Sequence, residues 1–281
     1  MLMLELKTIQ ANPFRILIEA LKEFLTDVNI EFTKQTETND GGLSIIALNN
    51  SSSILVHLKL HAKNFDEFKC KNEQINIGVN MTYLFKLIKT INNTDILTLF
   101  LDDTDINKLG IKIENSDKNY ISTYKLNLMD LDKTIYSIPP TDFTTIITMS
   151  THEFHKICKD LSIISDTVEI KSYQKKLIFT ATGDIASNEV ICGETQNGLT
   201  IMSKNDDEII QGVYDLKNLI LFTKCTNLCT CVELYMKNDY PIVIKYDVAQ
   251  LGSVHLCLSS ITTNINEFND SDSSDSDSDI N

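Results

Sequence analysis

The chain has 281 residues, a formal charge of −14 and a pI near 4.7. That length suffices for one large or two medium domains with real cores. The acidity excludes a protein that coats nucleic acid with its whole surface, because such a chain would be basic overall. Part of the acidity is local: Asp270, Asp272, Asp275, Asp277 and Asp279 crowd the C-terminal end, and without them the charge is about −9. Seven cysteines, an odd and widely spaced set, read as free thiols in a reducing, intracellular compartment. The apolar start of MLMLELK is too short for a secretory signal, and no apolar run reaches membrane-spanning length, so no membrane partner is expected. Trp is absent and the nine glycines are scattered, leaving no Gly-rich phosphate loop.

In chain order, residues 1–9 alternate as a strand. Asn12-Pro13 reads as the N-cap and first residue of a helix. Phe14, Leu17, Ile18, Leu21 and Leu25 then give it an apolar stripe. Residues 30–60 read as β, broken by the Asn-Asp-Gly-Gly turn at 39–42 and by 49–53. Asn80 reads as the cap of a second helix, with Tyr83, Leu84, Leu87 and Ile88 inward. Strands follow at 96–101, 109–113 and 120–128.

The middle stretch, YKLNLMDLDKTIYSIPPT at 124–141, ends the first half. Its alternation stops at MDLD, and Pro139-Pro140 bars any regular element. It nevertheless keeps Leu131, Ile135, Tyr136 and Ile138. Apolar side chains on a connector either fold back onto a core or offer a docking surface.

The pattern then restarts. Residues 143–149 read as a strand, and Ser150 with Glu153 has the spacing of a capping box. The third helix turns Phe154, Ile157, Cys158 and Leu161 inward. Strands follow at 167–171 and 176–182. Asp215 caps a fourth helix with Leu216, Leu219, Ile220 and Phe222 apolar. Strands at 231–235, 242–248 and 254–258 close the fold. From Asn264 onward the Ser/Asp sequence has the composition of a disordered tail. Helices starting near 14, 81, 151 and 216 suggest an internal repeat of about 65–70 residues.

In an acidic chain the placement of positive charge is informative. Each helix carries a basic pair: Arg15 and Lys22, Lys86 and Lys89, Lys156 and Lys159, Lys217 and Lys224. Spacings of seven and three place each pair on one helix face. One such pair is an ordinary solvated face, whereas four of four suggest a surface for a phosphate backbone, without base readout. Other chemistry is weakly signalled. Cys225, Cys229 and Cys231 lack a fourth metal ligand. His152 and His155 lie near Cys158 without an acid or oxyanion donors. His57, His61 and His255 read as structural, and Asp130 and Asp132 sit on the open connector with nothing to raise a pKa. No metal, no cofactor and no catalytic residue is expected.

Several separated segments resemble the proliferating cell nuclear antigen family, the eukaryotic and archaeal sliding clamps. They are GVNMTYLFKLIKTINNTDILTL (78–99), YKLNLMDLD (124–132), EFHKICKDLSIISD (153–166), FTATG (179–183), LFTKCT (221–226) and PIVIKYDVAQLG (241–252). The resemblance covers about residues 4–261, with Ile138-Pro139 following LMDLD. The Asn- and Ile-rich composition and the Ser/Asp tail suit a divergent member from a large DNA virus or a protist with an AT-rich genome.

The resemblance implies an α+β fold with two similar clamp domains per protomer, at 1–127 and 142–263. A connector loop (128–141) joins them and a tail (264–281) follows. Helices would line the inner face of a ring and sheets would lie outside. It implies a non-enzymatic DNA sliding clamp and polymerase processivity factor, encircling duplex DNA as a homotrimer. The strands near 120–126 and 187–192 would meet between subunits. The basic pairs match family positions that face DNA. Docking motifs of polymerase, ligase and nuclease partners would enter a pocket formed by Leu48, Leu55, Tyr136, Ile138, Pro139, Tyr240, Pro241, Cys257 and Ser259. A clamp loader would open the ring, in the nucleus or at a cytoplasmic viral replication site. The alternative is a subunit of a hetero-oligomeric checkpoint-type clamp or a monomeric processivity factor. Two departures stand out: Cys257 replaces a usual aromatic, and Ser259-Ser260 stands where Ala-Pro is common.

Overall fold

A repeating unit of one strand, one helix and three strands builds the chain four times. The computed structural model describes residues 1–115, 117–133, 136, 138, 140–196 and 198–261. The first unit is β1 (Leu2–Thr8), α1 (Ala11–Leu21), β2 (Asp27–Thr33), β3 (Gly42–Leu48) and β4 (Ile54–His61). After a short β5 (Glu67–Cys70) come β6 (Gln74–Asn80), α2 (Met81–Ile88), β7 (Asp95–Asp102), β8 (Lys108–Asn115) and β9 (Tyr120–Asn127). The third unit is β10 (Thr145–Ser150), α3 (Thr151–Leu161), β11 (Thr167–Tyr173), β12 (Lys176–Thr182) and β13 (Ser187–Gly193). A short β14 (Thr200–Ser203) precedes β15 (Ile210–Asp215), α4 (Leu216–Phe222), β16 (Cys231–Met236), β17 (Ile242–Val248) and β18 (Gly252–Leu258).

The units interlock by exchange. The first strand of each one pairs with the sheet of its neighbour: β1 with β7, β6 with β2, β10 with β16, and β15 with β11, all antiparallel. The two halves then fuse through β18 and β4, whose register runs from Gly252↔Leu60 to Leu258↔Ile54. The result is a five-stranded sheet β5-β1-β7-β8-β9, a nine-stranded sheet β14-β10-β16-β17-β18-β4-β3-β2-β6, and a four-stranded sheet β13-β12-β11-β15. The last strands of the two outer units are thus joined to each other, while the last strands of the two inner units, β9 and β13, are sheet edges.

Side chains on the helix-facing side of the sheets, such as Leu4, Leu6, Val56, Leu58, Ile244 and Leu256, are wholly buried, as are Phe14, Leu84, Phe154 and Phe222 on the helices. Asn80, Ser150 and Asp215 cap their helices, accepting from the amides of Tyr83 (3.0 Å), Glu153 (3.5 Å) and Asn218 (2.9 Å).

The expected Asn12 cap is overturned. Helix α1 starts at Ala11, its N-cap is Gln10 without a side-chain cap bond, and Pro13 is the third helical residue. Ala11 is fully buried, so the core draws the first turn in, and Asn12 instead donates to Asn93 Oδ1 at 2.6 Å. Tyr83 is not inward either: it is 57% exposed, and Met81 takes the buried position. Alternation predicts none of β5, β6, β13, β14 and β15, and the stretch of β13 enters only through the family resemblance.

At Gly41 φ is +58°, the left-handed turn geometry that the Gly-Gly pair permits. Gly78 has a different reason: a Cβ there would lie 2.3 Å from the Met129 carbonyl oxygen. The start of the connector runs that close to β6, as an isolated antiparallel bridge.

Candidate nucleic-acid interface and docking groove

The basic residues of the helices differ sharply in their surroundings. Arg15 is half-buried; its Nε donates to Asn12 Oδ1 at 3.0 Å and its Nη1 to Glu19 Oε2 at 2.8 Å. Lys22 follows the last residue of α1, pairs with Glu23, and holds its ammonium 5.2 Å from the centre of the Phe85 ring. Both cations of α1 therefore already face a carboxylate. Exposed pairs of this kind add little stability, but they cancel local charge.

Helices α2 and α3 present the opposite case. Residues 81–90 and 151–160 share one order of buried and exposed positions, so Lys86 and Lys89 occupy the places of Lys156 and Lys159. All four are exposed, as are Lys217 and Lys224. Among the described residues none of these six lysines takes part in an ion pair. The one-face expectation fails for the fourth pair. Helix α4 ends at Phe222, and Lys224 lies in the 3-10 turn Thr223–Asn227, where a spacing of seven no longer tracks an α-helical face.

The connector gives a mixed answer to the choice between folding back and docking. Its first part folds back. Met129 N donates to Gly78 O at 2.9 Å, Asn29 Nδ2 donates to the carbonyl of Asp132 at 3.0 Å, and Lys133 lies 3.4 Å from Glu31. Leu131 is half-buried against Gly78. Beside this segment a groove of about 560 Å³ opens over β2, β3 and β6. Leu48 and Tyr136 line it, joined by Val28, Ile46 and Leu131 and by the acids Asp27, Glu31 and Asp132. Outward alternation on β2 and β3 is the signal that could have found Asn29, Glu31 and Ile46.

Leu55 and Cys257 continue the same outward row by register, Leu48↔Leu55 and Leu55↔Cys257. Tyr240 and Pro241 lie in the turn before β17. Tyr240 packs edge-on to Phe143 at 5.8 Å and accepts from the Thr141 hydroxyl at 2.5 Å, tying down the end of the connector. Phe143 in turn meets Tyr235 at 5.4 Å, two residues that sequence reasoning missed. Ile138 is 39% exposed and Ser259 half-buried just past β18. Ile135, Pro139 and the residues from 262 onward lie outside the described residues.

Beside that row, His57 and His255 stack across the seam with ring centres 5.8 Å apart. Burial lowers both pKa values, that of His255 to about 4, with His57 and Lys245 adding to the effect. Three of the thiols are equally quiet. Burial pushes Cys158 up to about 12, Cys229 to about 11 and Cys225 higher still, which disfavours the thiolate a nucleophile needs.

Residues 3–135 match the family model for the proliferating cell nuclear antigen, N-terminal domain, and residues 137–261 that for its C-terminal domain. The chain is 35% identical over 244 residues to a probable DNA polymerase sliding clamp of Acanthamoeba polyphaga mimivirus. That match takes in 81% of the chain but only 50% of the mimivirus protein, so the chain spans about half that relative's length. It is 30% identical over 260 residues to probable DNA polymerase sliding clamp 1 of Paramecium bursaria Chlorella virus 1, covering 91% and 96% of the two chains. To the proliferating cell nuclear antigen of Chaetomium thermophilum it is 32% identical over 257 residues, covering 90% and 95%. With two family domains matched in order along the α+β fold described above, the chain belongs to the proliferating cell nuclear antigen family.

Proposed function

We propose that this chain is a DNA sliding clamp, a processivity factor without catalysis of its own. It closes head to tail into a homotrimeric ring around duplex DNA and tethers polymerase and other replication and repair proteins through the connector groove. The observation that carries this reading is the pair of open edges left by the fourfold repeat. Within the chain, the last strands of the outer units pair antiparallel as β4 and β18. The equivalent strands of the inner units, β9 and β13, have partners on one side only among the described residues, and expose Tyr120, Ile121 and Ile191. Joining β9 of one copy to β13 of the next repeats the internal seam between molecules. A head-to-tail contact of this kind generates a ring when the rotation closes.

The six unpaired lysines support the DNA-facing role of the helices, since contacts to phosphate hold DNA without reading its sequence. The names of the two viral relatives support polymerase as the client. Tethering raises rate through effective concentration alone.

Light scattering at several concentrations tests ring closure. A mass about three times 31.8 kDa, stable on dilution, is expected. Ile191→Asp, which puts a charge on the exposed edge, should return the chain to monomer; a wild-type monomer would remove the self-closing ring. Lys86→Glu with Lys156→Glu should keep the assembly and lose stimulation of DNA synthesis; undiminished stimulation would remove the DNA-facing assignment.

A further inference from the structure

Helices α2 and α3 share one burial pattern and differ at an exposed position of the first turn. The α2 sequence MTYLFKLI contains no acidic residue. Where α3 carries Glu153 in its first turn, α2 carries Tyr83, at the matching place in the shared pattern of burial. Tyr83 is 57% exposed although its ring is large and apolar. The Lys86 ammonium sits 5.0 Å from the ring centre, one turn further along the helix. A lysine over an aromatic face is held by the ring quadrupole and loses part of its freedom before any ligand arrives. Among the described residues no bond engages the Tyr83 hydroxyl, and no carboxylate pairs with Lys86 or Lys89. On α1, by contrast, Glu19 and Glu23 meet both cations.

We propose that Tyr83 is a DNA-contacting residue of the clamp, its hydroxyl donating a hydrogen bond to the sugar–phosphate backbone beside the phosphate held by Lys86. The inference rests on the reading of the helices as the DNA-facing surface. The occupant follows from charge: a face with two unpaired ammoniums, an aromatic ring and no acid is complementary to a polyanion that also offers uncharged acceptors. The contact is non-ionic, so it releases no counterion. It adds affinity that persists as salt rises, whereas each lysine contact weakens with salt. Helix α2 thereby holds DNA more firmly than α1, whose cations are already neutralised.

The test uses the full chain and a fluorescein-labelled 30-base-pair duplex, with binding followed by anisotropy across a salt series. Tyr83→Phe keeps the ring under Lys86 and removes only the hydroxyl. It should weaken binding about two- to tenfold, the range for one hydrogen bond, with the salt slope unchanged. Lys86→Ala should flatten the slope by about 0.9, the value of one phosphate contact. Thermal unfolding and solution mass of both variants should match the wild type, since both side chains are exposed. If Tyr83→Phe binds as the wild type while Lys86→Ala weakens, the hydroxyl contact is overturned and the DNA-facing reading stands. If Tyr83→Ala and Lys86→Ala weaken binding while Tyr83→Phe does not, the ring merely positions Lys86, and the hydroxyl contact is again overturned. If neither Tyr83→Phe nor Lys86→Ala changes binding, the DNA-facing reading falls and takes the proposal with it.

Discussion

Replacing Gly78 with alanine places one methyl group between β6 and the connector. Its Cβ would stand 2.3 Å from the Met129 carbonyl oxygen and 2.9 Å from Leu131 Cγ. The leucine can turn aside; the carbonyl is backbone and must retreat by about 1 Å to reach an ordinary contact. Overpacking of this kind costs about 1–3 kcal/mol. Against it stands about 0.4–1 kcal/mol gained by restricting the unfolded chain. The net loss should be about 1–2 kcal/mol, or roughly 2–4 °C in Tm for a chain of this size. The loss stays modest because the connector can lift off without opening a core strand: Met129 is 40% exposed, and one bridge joins it to β6. Hydrogen exchange should therefore report more than melting does. The Met129 amide, bonded to Gly78 O at 2.9 Å, should lose its protection while the amides of β2 and β6 keep theirs. A variant with unchanged Tm and a still-protected Met129 amide would refute the close approach.

Two further outcomes follow from single side chains. His255 has an ordinary pKa of 6.5 that burial lowers to about 4. Above pH 6.5 it is neutral folded or unfolded and contributes nothing. Below that, the unfolded chain takes up a proton that the folded one refuses, so stability falls from pH 6.5 to about 4 and then levels. Urea unfolding at pH 7.5 and 5.0 should show a smaller drop for His255→Gln than for the wild type; equal drops would remove the effect. Asp215→Ala deletes the acceptor of the Asn218 amide at the start of α4 and should cost about 0.5–2 kcal/mol in urea unfolding; a wild-type midpoint would show that the cap is silent.

Local signals carried much of this protein by themselves. Three of the four helix caps, the buried stripes of the helices, most strands and the repeat of helix positions are written in short windows. Each depends on neighbours within a turn or a pleat. The cationic residues were equally legible, because charge is a property of the residue.

What lay beyond reach was pairing across distance. That β18 lies beside β4, that each unit lends its first strand to another sheet, and that β9 and β13 remain as edges are contacts between residues far apart in sequence. Which cations are free was legible only in part. Glu19 and Glu23 stand four and one residues from Arg15 and Lys22, within a helical turn, whereas Lys224 leaves the helical face because α4 stops after seven residues. Tyr83 looked like a core residue by composition and period. The packing buries Met81, Leu84 and Ile88 and leaves the tyrosine facing outward beside Lys86, since residues two apart on a helix point to different sides.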